Sequence, residues 1–172
     1  MSKITGAGVL PVASYNNETY YYFGREKSGL LGIFGGGLNK GEKAADGAAR
    51  ELGEESLKVF AKTGKAKKLI KSKNAKKVDN AAHKYRTYIV PVELKSQPMI
   101  EFLKKRKKPG LKHVQKEMSE LLKVTRGDLL AAMKNKSQNV QCYSATAHKM
   151  VTVAIRPCAF HTLQLAYNQN KL

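Results

Sequence analysis

The chain opens with short apolar runs. Residues 4–14 (ITGAGVLPVAS) are apolar and β-leaning, and residues 18–25 (ETYYYFGR) are rich in aromatics, with Asn16-Asn17 between them. Two such runs around a turn-forming pair predict a β-hairpin. The consecutive Tyr20, Tyr21 and Tyr22 predict a strand covered in part on both faces. Residues 29–37 (GLLGIFGGG) predict a third short strand running into glycine. From Ala44 the pattern changes. Strong helix formers dominate, and Ala45, Ala48, Ala49, Leu52 and Val59 fit one buried stripe, which predicts a helix over about 44–60.

Polar residues take over next. Residues 62–77 hold eight lysines and no acid, which predicts a loop or a frayed hairpin. Residues 84–94 (KYRTYIVPVEL) predict a strand, with Pro91 suited to an edge or an end. Residues 98–107 predict a short helix with Pro98 in its first turn, closing in a second basic run, KKRKK at 104–108, before Pro109-Gly110 breaks the chain. Residues 114–124 read as loop and strand, and 127–134 as a short helix with Asp128 near its start. Residues 149–155 read as a strand or the start of a helix, and 157–169 as a helix with Pro157 at its first position. No internal repeat is visible. The order, β, β, β, α and then mixed β and α, predicts an α/β or α+β sandwich with helices against a mixed sheet.

Size and charge narrow the picture. A chain of 172 residues fits one domain, and 42% hydrophobic with 26% charged residues is ordinary for a folded protein. The charge is not ordinary. Thirty-two Lys and Arg against 13 Asp and Glu give a formal net charge of +19. A domain this basic draws polyanions to its surface, although simple solubility would also account for it. Cys142 and Cys158 have no zinc-site spacing and read as structural thiols in a reducing compartment. The N-terminus lacks a signal-peptide pattern and no run of about 18 residues is apolar, so the expectation is an intracellular protein, cytoplasmic, with no membrane span.

The chemistry concentrates in residues 35–57, GGGLNKGEKAADGAARELGEESL. Glu51, Glu54 and Glu55 fall at i, i+3 and i+4 on the predicted helix, so their carboxylates share one face. Like charges at that spacing repel. A hard divalent cation removes the repulsion, and Mg2+ takes carboxylate oxygens, waters and phosphate together. The glycines ahead of the helix let backbone approach a ligand closely. The competing reading is a solvated acidic face on an ordinary amphipathic helix.

These residues resemble the box of the Nudix hydrolase family (MutT-like pyrophosphohydrolases), G-x5-E-x7-R-E-U-x-E-E-x-G-U, where U is apolar. Gly36, Glu42, Arg50, Glu51, Leu52, Glu54 and Glu55 match its fixed positions at the right spacing, over 20 of the 172 residues. Two departures stand out. Ser56, Leu57 and Lys58 replace the family's x-Gly-apolar, which predicts a helix running on towards Gly64. Leu31 and Phe34 stand where the family often has Trp and Pro, which predicts a different wall against a base.

The resemblance implies a fold, roles and a cofactor. The fold is an α/β/α sandwich with a mixed β-sheet, one domain over residues 1–172, with lysine-rich insertions at about 62–77 and 104–108. Glu54 and Glu55 would ligate Mg2+, with Mn2+ as an alternative ion, and Glu51 would be a ligand or the base that activates water. The carbonyl of Gly35 would complete the metal shell. Glu42 and Arg50 would form an ion pair locking the loop onto the helix. An acid outside the box is common in the family, and Glu117 and Glu120 are the candidates, weighed against plain surface acids. Arg25, on the second strand, is a candidate phosphate contact. His83, His113, His148 and His161 show no paired spacing and read as surface or packing residues.

The reaction so implied is Mg2+-dependent hydrolysis of a phosphoanhydride bond in a nucleotide or polyphosphate substrate, built on a nucleoside diphosphate. The basic runs favour a long polyanion, with the 5′ end of a capped RNA or a dinucleoside polyphosphate as specific candidates. A second class stays open: a basic RNA-binding module on the same scaffold with vestigial catalysis. Oligomeric state leaves no trace in the sequence.

Overall fold

The computed structural model describes residues 3–94 and 97–172. Strands β1 (Gly6–Tyr15) and β2 (Glu18–Glu26) form the expected antiparallel hairpin, with Tyr15 opposite Glu18. Asn16 and Asn17 both take positive φ, 49° and 62°, the backbone a two-residue turn between twisted strands requires. Short strands β3 (Leu31–Gly32) and β4 (Phe34–Gly37) follow. β1 pairs with β4 along its first half, Gly6 to Val9, and with β2 along its second, Val12 to Tyr15. β3 pairs with β2 at Gly24 and Arg25. The glycine strand β4 is thus wedged where β1 and β2 diverge.

The remaining strands are β5 (Lys76–Asn80), β6 (Tyr85–Pro91), β7 (Met118–Thr125), β8 (Asn139–Ser144) and β9 (Lys149–Ala154). The sheet runs β5-β6-β1-β2-β7-β8-β9, and β1 with β6 is the parallel pair in an otherwise antiparallel order. The sheet is therefore mixed.

Helices cover both faces. On one, α1 (Ala44–Glu55), α2 (Thr63–Ile70) and α3 (Pro98–Arg106) supply Ala48, Ala49, Leu52, Ala66, Ile70, Met99 and Phe102 to a core that includes Val9, Tyr22, Phe34 and Leu121. On the other, α4 (Arg126–Lys134) and α5 (Pro157–Asn168) bury Leu129, Met133, Ala159 and Leu163 with Leu10, Phe23, Leu122 and Val124. Alternation along the strands feeds both layers. The expected α/β/α sandwich is the architecture observed.

Three expectations are corrected. The helix from 44 stops at Glu55 instead of running to 60 or Gly64. Leu57 and Lys58 take φ of 53° and 60°, so the chain turns where the family box has glycine, although glycine is absent. Ser56 caps the turn by donating its hydroxyl to the Leu52 carbonyl. Second, residues 62–77 are not loop: they form α2 and lead into β5, because Ala66 and Ile70, one turn apart, bury against α1 and the sheet. Third, β8 adds a strand at Asn139–Ser144 to those the sequence pattern predicts. Among the described residues no helix is long and apolar enough to cross a membrane.

Candidate active site

The site starts from α1. Its apolar stripe seats on the sheet, which leaves Glu51, Glu54 and Glu55 along one flank. Glu55 is buried, and it accepts a hydrogen bond of 2.6 Å from the Gly35 N–H of β4. The structure thus engages Gly35 through its amide; the expected role of its carbonyl is a separate matter. Two glycines of β4 are fixed by close approach. A Cβ on Gly36 would come within 2.6 Å of Glu51 Oε1, and one on Gly35 would strike the Tyr85 hydroxyl and lie 2.6 Å from the Ala7 carbonyl oxygen.

Arg50 organises the open side. Its Nε and Nη2 donate to the two oxygens of Glu42 at 3.1 and 3.0 Å, and Nη2 also reaches the Gly37 carbonyl at 3.1 Å. The Asn39 N–H donates to Glu42 at 2.9 Å, closing the loop onto the helix. Arg50 Nη1 then bridges Glu51 at 2.7 Å and Glu54 at 3.3 Å. The hydrogen bonds from Arg50 hold the Glu42 carboxyl below the usual carboxylate range.

Glu117 joins the cluster and Glu120 does not. Glu117 is near enough for its charge to act on both Glu55 and Glu51. Glu120 accepts from Arg25 Nη1 at 3.0 Å and from the Ser144 hydroxyl at 2.7 Å. It shares strand parity with Leu122 and Val124, whose side chains face away from α1. Arg25, paired with it, is likewise apart from the glutamates.

The electrostatics follow. Burial pushes the Glu55 carboxyl up to about 9; the Gly35 N–H opposes the rise, and the charges of Glu51 and Glu117 add to it. Glu51 is raised by burial, against the pull of Arg50. The cluster is short of positive charge. Among the described residues no three acidic, histidine or cysteine side chains stand in ready-made metal geometry, and Arg50 bridges Glu51 and Glu54. The donor chemistry is of the kind a hard cation takes: Glu51 and Glu54 share the Arg50 guanidinium, and the charges of Glu51 and Glu117 act on the buried Glu55.

Behind β4 lies a cavity of about 430 Å³, lined by the backbone of Gly35 to Gly37 and by Ile33, His83, Tyr85, Thr87, Arg156 and Cys158 among others. Leu31 and Phe34, which stand where the family often has Trp and Pro, are fully buried in the two core layers, and Ile33 between them lines the cavity. Tyr85 is pushed up by burial and by the charges of Glu55 and Glu51, so the wall feels the cluster. None of His83, Tyr85, Thr87, Arg156 or Cys158 was a sequence candidate. The signal available was the period-2 alternation in β6, which puts Tyr85, Thr87 and Ile89 on one face. His83 also meets His161 edge-on at 5.6 Å, a pairing that sequence spacing hides.

No family model matches the chain. No curated protein sequence matches it either. Solved structures do. A MutT/nudix family protein from Enterococcus faecalis aligns over 97% of this chain and 60% of its own, with 10% identity and a TM-score of 0.49. The chain thus spans less than two thirds of that protein. The NUDIX domain of Shewanella oneidensis NrtR, complexed with ADP ribose, aligns over 86% and 82% with 10% identity and a TM-score of 0.41. An Ap4A hydrolase from C. elegans aligns over 54% and 75% with 16% identity and a TM-score of 0.37.

Proposed function

We propose that the protein is a Nudix-type pyrophosphohydrolase, which uses Mg2+ or Mn2+ to hydrolyse a phosphoanhydride bond in a nucleoside-diphosphate-linked substrate. The observation that carries the reading is the placing of Glu51, Glu54 and Glu55 along one flank of α1, with Glu117 near, against the glycines of β4, with a ligand-sized cavity behind them.

Glu54, Glu55 and Glu117 would hold the metal, with Glu51 as a further ligand or as the base. When bound, it supplies charge neutralisation for the phosphates and a more acidic water. The rest falls to the chain. Gly35 N–H fixes the Glu55 carboxylate, and Arg50, anchored twice on Glu42, orients Glu51 and Glu54. A glutamate not taken up as a ligand accepts the proton of the attacking water, and Glu51, half-buried beside Gly36, is placed for it. Gly35 to Gly37 leave no side chain between cavity and carboxylates, so a substrate seated in the cavity reaches across β4 with its phosphates.

The substrate reading stays with nucleotides, the 5′ end of RNA or a dinucleoside polyphosphate. Residues 104–116 favour a polyanion: seven Lys or Arg and no acid precede Glu117, and Arg106 ties this segment to the Met118 and Lys116 carbonyls. The same basic segment supports the second reading, an RNA-binding module with vestigial catalysis.

The test sets wild type beside Glu54→Gln on nucleoside triphosphates, ADP-ribose, a dinucleoside polyphosphate, an inositol pyrophosphate and a capped RNA, with and without Mg2+. The expected result is turnover of one class, lost by at least about a hundredfold in the variant. Mg2+ should also raise the melting temperature of wild type more than that of Glu54→Gln. No turnover anywhere, with RNA bound equally by both proteins, would overturn the catalytic reading in favour of the binding module.

A further inference from the structure

On the side of α1 to α3, the sheet runs on past its helices. α3 packs on β7, and beyond it Gln141 of β8 and Met150 and Thr152 of β9 are exposed. The register fixes which side chains stand on this face. Tyr22 is opposite Lys123, Lys123 opposite Tyr143, and Tyr143 opposite Met150. Directly opposed residues of antiparallel strands share a face. Tyr22 belongs to the core below α1, so the row lies on the α1 side. Tyr20 is two residues along β2 from Tyr22, and Tyr15 of β1 is opposite Glu18, so both point the same way.

The result is a stripe across five strands: Tyr15, Tyr20, Lys123, Tyr143 and Met150. Its ends are open. Among the described residues Tyr15, at 66%, and Met150, at 49%, are the large hydrophobic side chains most exposed to solvent. Its middle is an ammonium between two rings. Lys123 Nζ lies 4.5 Å from the ring centroid of Tyr20 and 5.6 Å from that of Tyr143. Both tyrosines are half-buried and pack against the core, which holds the rings in place. One acid, Glu18, stands at the Tyr15 end and accepts from the Thr19 N–H at 3.1 Å. Core packing explains Tyr20 and Tyr143. It does not explain Tyr15 or Met150, which offer apolar surface to water at opposite ends of the same stripe.

We propose that this stripe is a platform for single-stranded nucleic acid, on which unpaired bases stack. Aromatic rings with a cation among them take the faces of bases whatever the sequence, and the positive charge takes the phosphates. Charge favours this occupant over an apolar partner: Lys123 stands within the stripe, and the whole chain carries +19. A duplex keeps its bases stacked on one another and offers the rings nothing. The platform uses none of the carboxylates of the candidate active site, so it stands whether or not the protein is a hydrolase.

The experiment measures binding of a fluorescent uridylate oligomer of about 12 nucleotides by anisotropy, with EDTA present so that no metal-dependent hydrolysis intervenes. Tyr15→Ser, Tyr20→Leu and Tyr143→Leu should each weaken binding at least about fivefold and leave its slope against log salt concentration unchanged. Tyr20→Phe and Tyr143→Phe, which keep the ring, should bind as wild type does, and so should Glu54→Gln. Lys123→Gln should weaken binding and flatten the salt slope by about 0.7. An RNA duplex of the same length should bind less tightly than the single strand and should be indifferent to the tyrosine variants. Unchanged affinity in Tyr15→Ser and both leucine variants overturns the inference. So does an equal loss of duplex binding, which would mark a general effect of charge or folding. Tyr15 is exposed, so Tyr15→Ser decides should a leucine variant fail to fold. Two further outcomes overturn it. A dimer in sedimentation that Tyr15→Ser dissociates would give the stripe to a second copy of the chain. Adsorption to phosphatidylserine vesicles that the same variants abolish, with oligomer binding intact, would give it to a membrane surface.

Discussion

Arg50 shows how one side chain can hold a charged site together. It binds Glu42 through two nitrogens and shares a third between Glu51 and Glu54, which screens carboxylates that would otherwise repel. Away from the site, Asp79 and Arg86 stand opposite each other across β5 and β6, with hydrogen bonds of 2.6 and 2.8 Å. The Arg86 guanidinium holds the Asp79 carboxyl below its ordinary 3.8. With the folded value below the unfolded one, the pair stabilises the protein above pH 3.8, and that contribution is lost as pH falls through the lower folded value. Asp79→Asn should therefore lower the urea midpoint at neutral pH, and the gap to wild type should close well below pH 3.8. A gap unchanged in acid would mean that the carboxylate charge contributes nothing. The residues matched to the box, Glu42, Arg50, Glu51, Glu54 and Glu55, were legible in sequence because one helix turn and one loop bring them together. Of the two outside candidates, Glu120 lies within β7 and pairs with Arg25, whereas Glu117 precedes the strand, beyond the bulge opposite Arg25 and Glu26.

At the scale of elements, the end of α1 is the informative place. The chain reverses through Leu57 and Lys58 in the left-handed region, which costs non-glycine residues about 1 kcal/mol each. Leu57 offsets this by burying its side chain at 5% exposure against the core below α1. Lys58 is exposed and gains nothing comparable. Lys58→Gly is expected to stabilise the protein by about 1 kcal/mol, and Leu57→Gly to destabilise it by about 1–2 kcal/mol as lost burial outweighs relieved strain. Denaturant midpoints check both, and a loss of stability in Lys58→Gly would show that the turn depends on the lysine. α2 escaped the sequence reading for a physical reason. Its lysines fill the exposed positions, and two residues, Ala66 and Ile70, carry its buried face. A two-residue stripe is too short to show a period; packing against α1, with Lys67 paired to Asp46 at 3.2 Å, makes the helix.

Across the whole molecule, two basic runs hold 15 of the 32 Lys and Arg and stand in different relations to the site. The lysines of α2 lie beside the flank of α1 that carries Asp46 and Gly53, as the Lys67–Asp46 pair and the close approach of Thr63 to Gly53 show. The run at 104–116 leads instead into Glu117, with Lys104, Lys107, Lys108, Lys112 and Lys116 all exposed. A polyanion running out of the site would follow the second region. Replacing Lys104, Lys107, Lys108 and Lys112 by serine should weaken binding of single-stranded RNA and flatten its dependence on log salt concentration by up to about 3 units. Hydrolysis of a free small nucleotide should change little. An unaltered salt slope would remove this segment from any RNA path.

What the sequence determined by itself was local: the hairpin at Asn16-Asn17, the helix that sets three glutamates on one face, the glycine run ahead of it, and a mixed sheet between helices. Each follows from periodicity, turn chemistry or contiguous spacing, and needs no knowledge of distant residues. The tertiary structure decided everything that depends on pairings far apart in sequence. It brought Glu117 to Glu55 and sent Glu120 to Arg25. It wedged β4 between β1 and β2 and set β6 and the start of α5 around a cavity behind it. Thr87 acquires its unpaired hydroxyl only there, because burial and the absence of a partner are properties of the packed molecule and not of the residue.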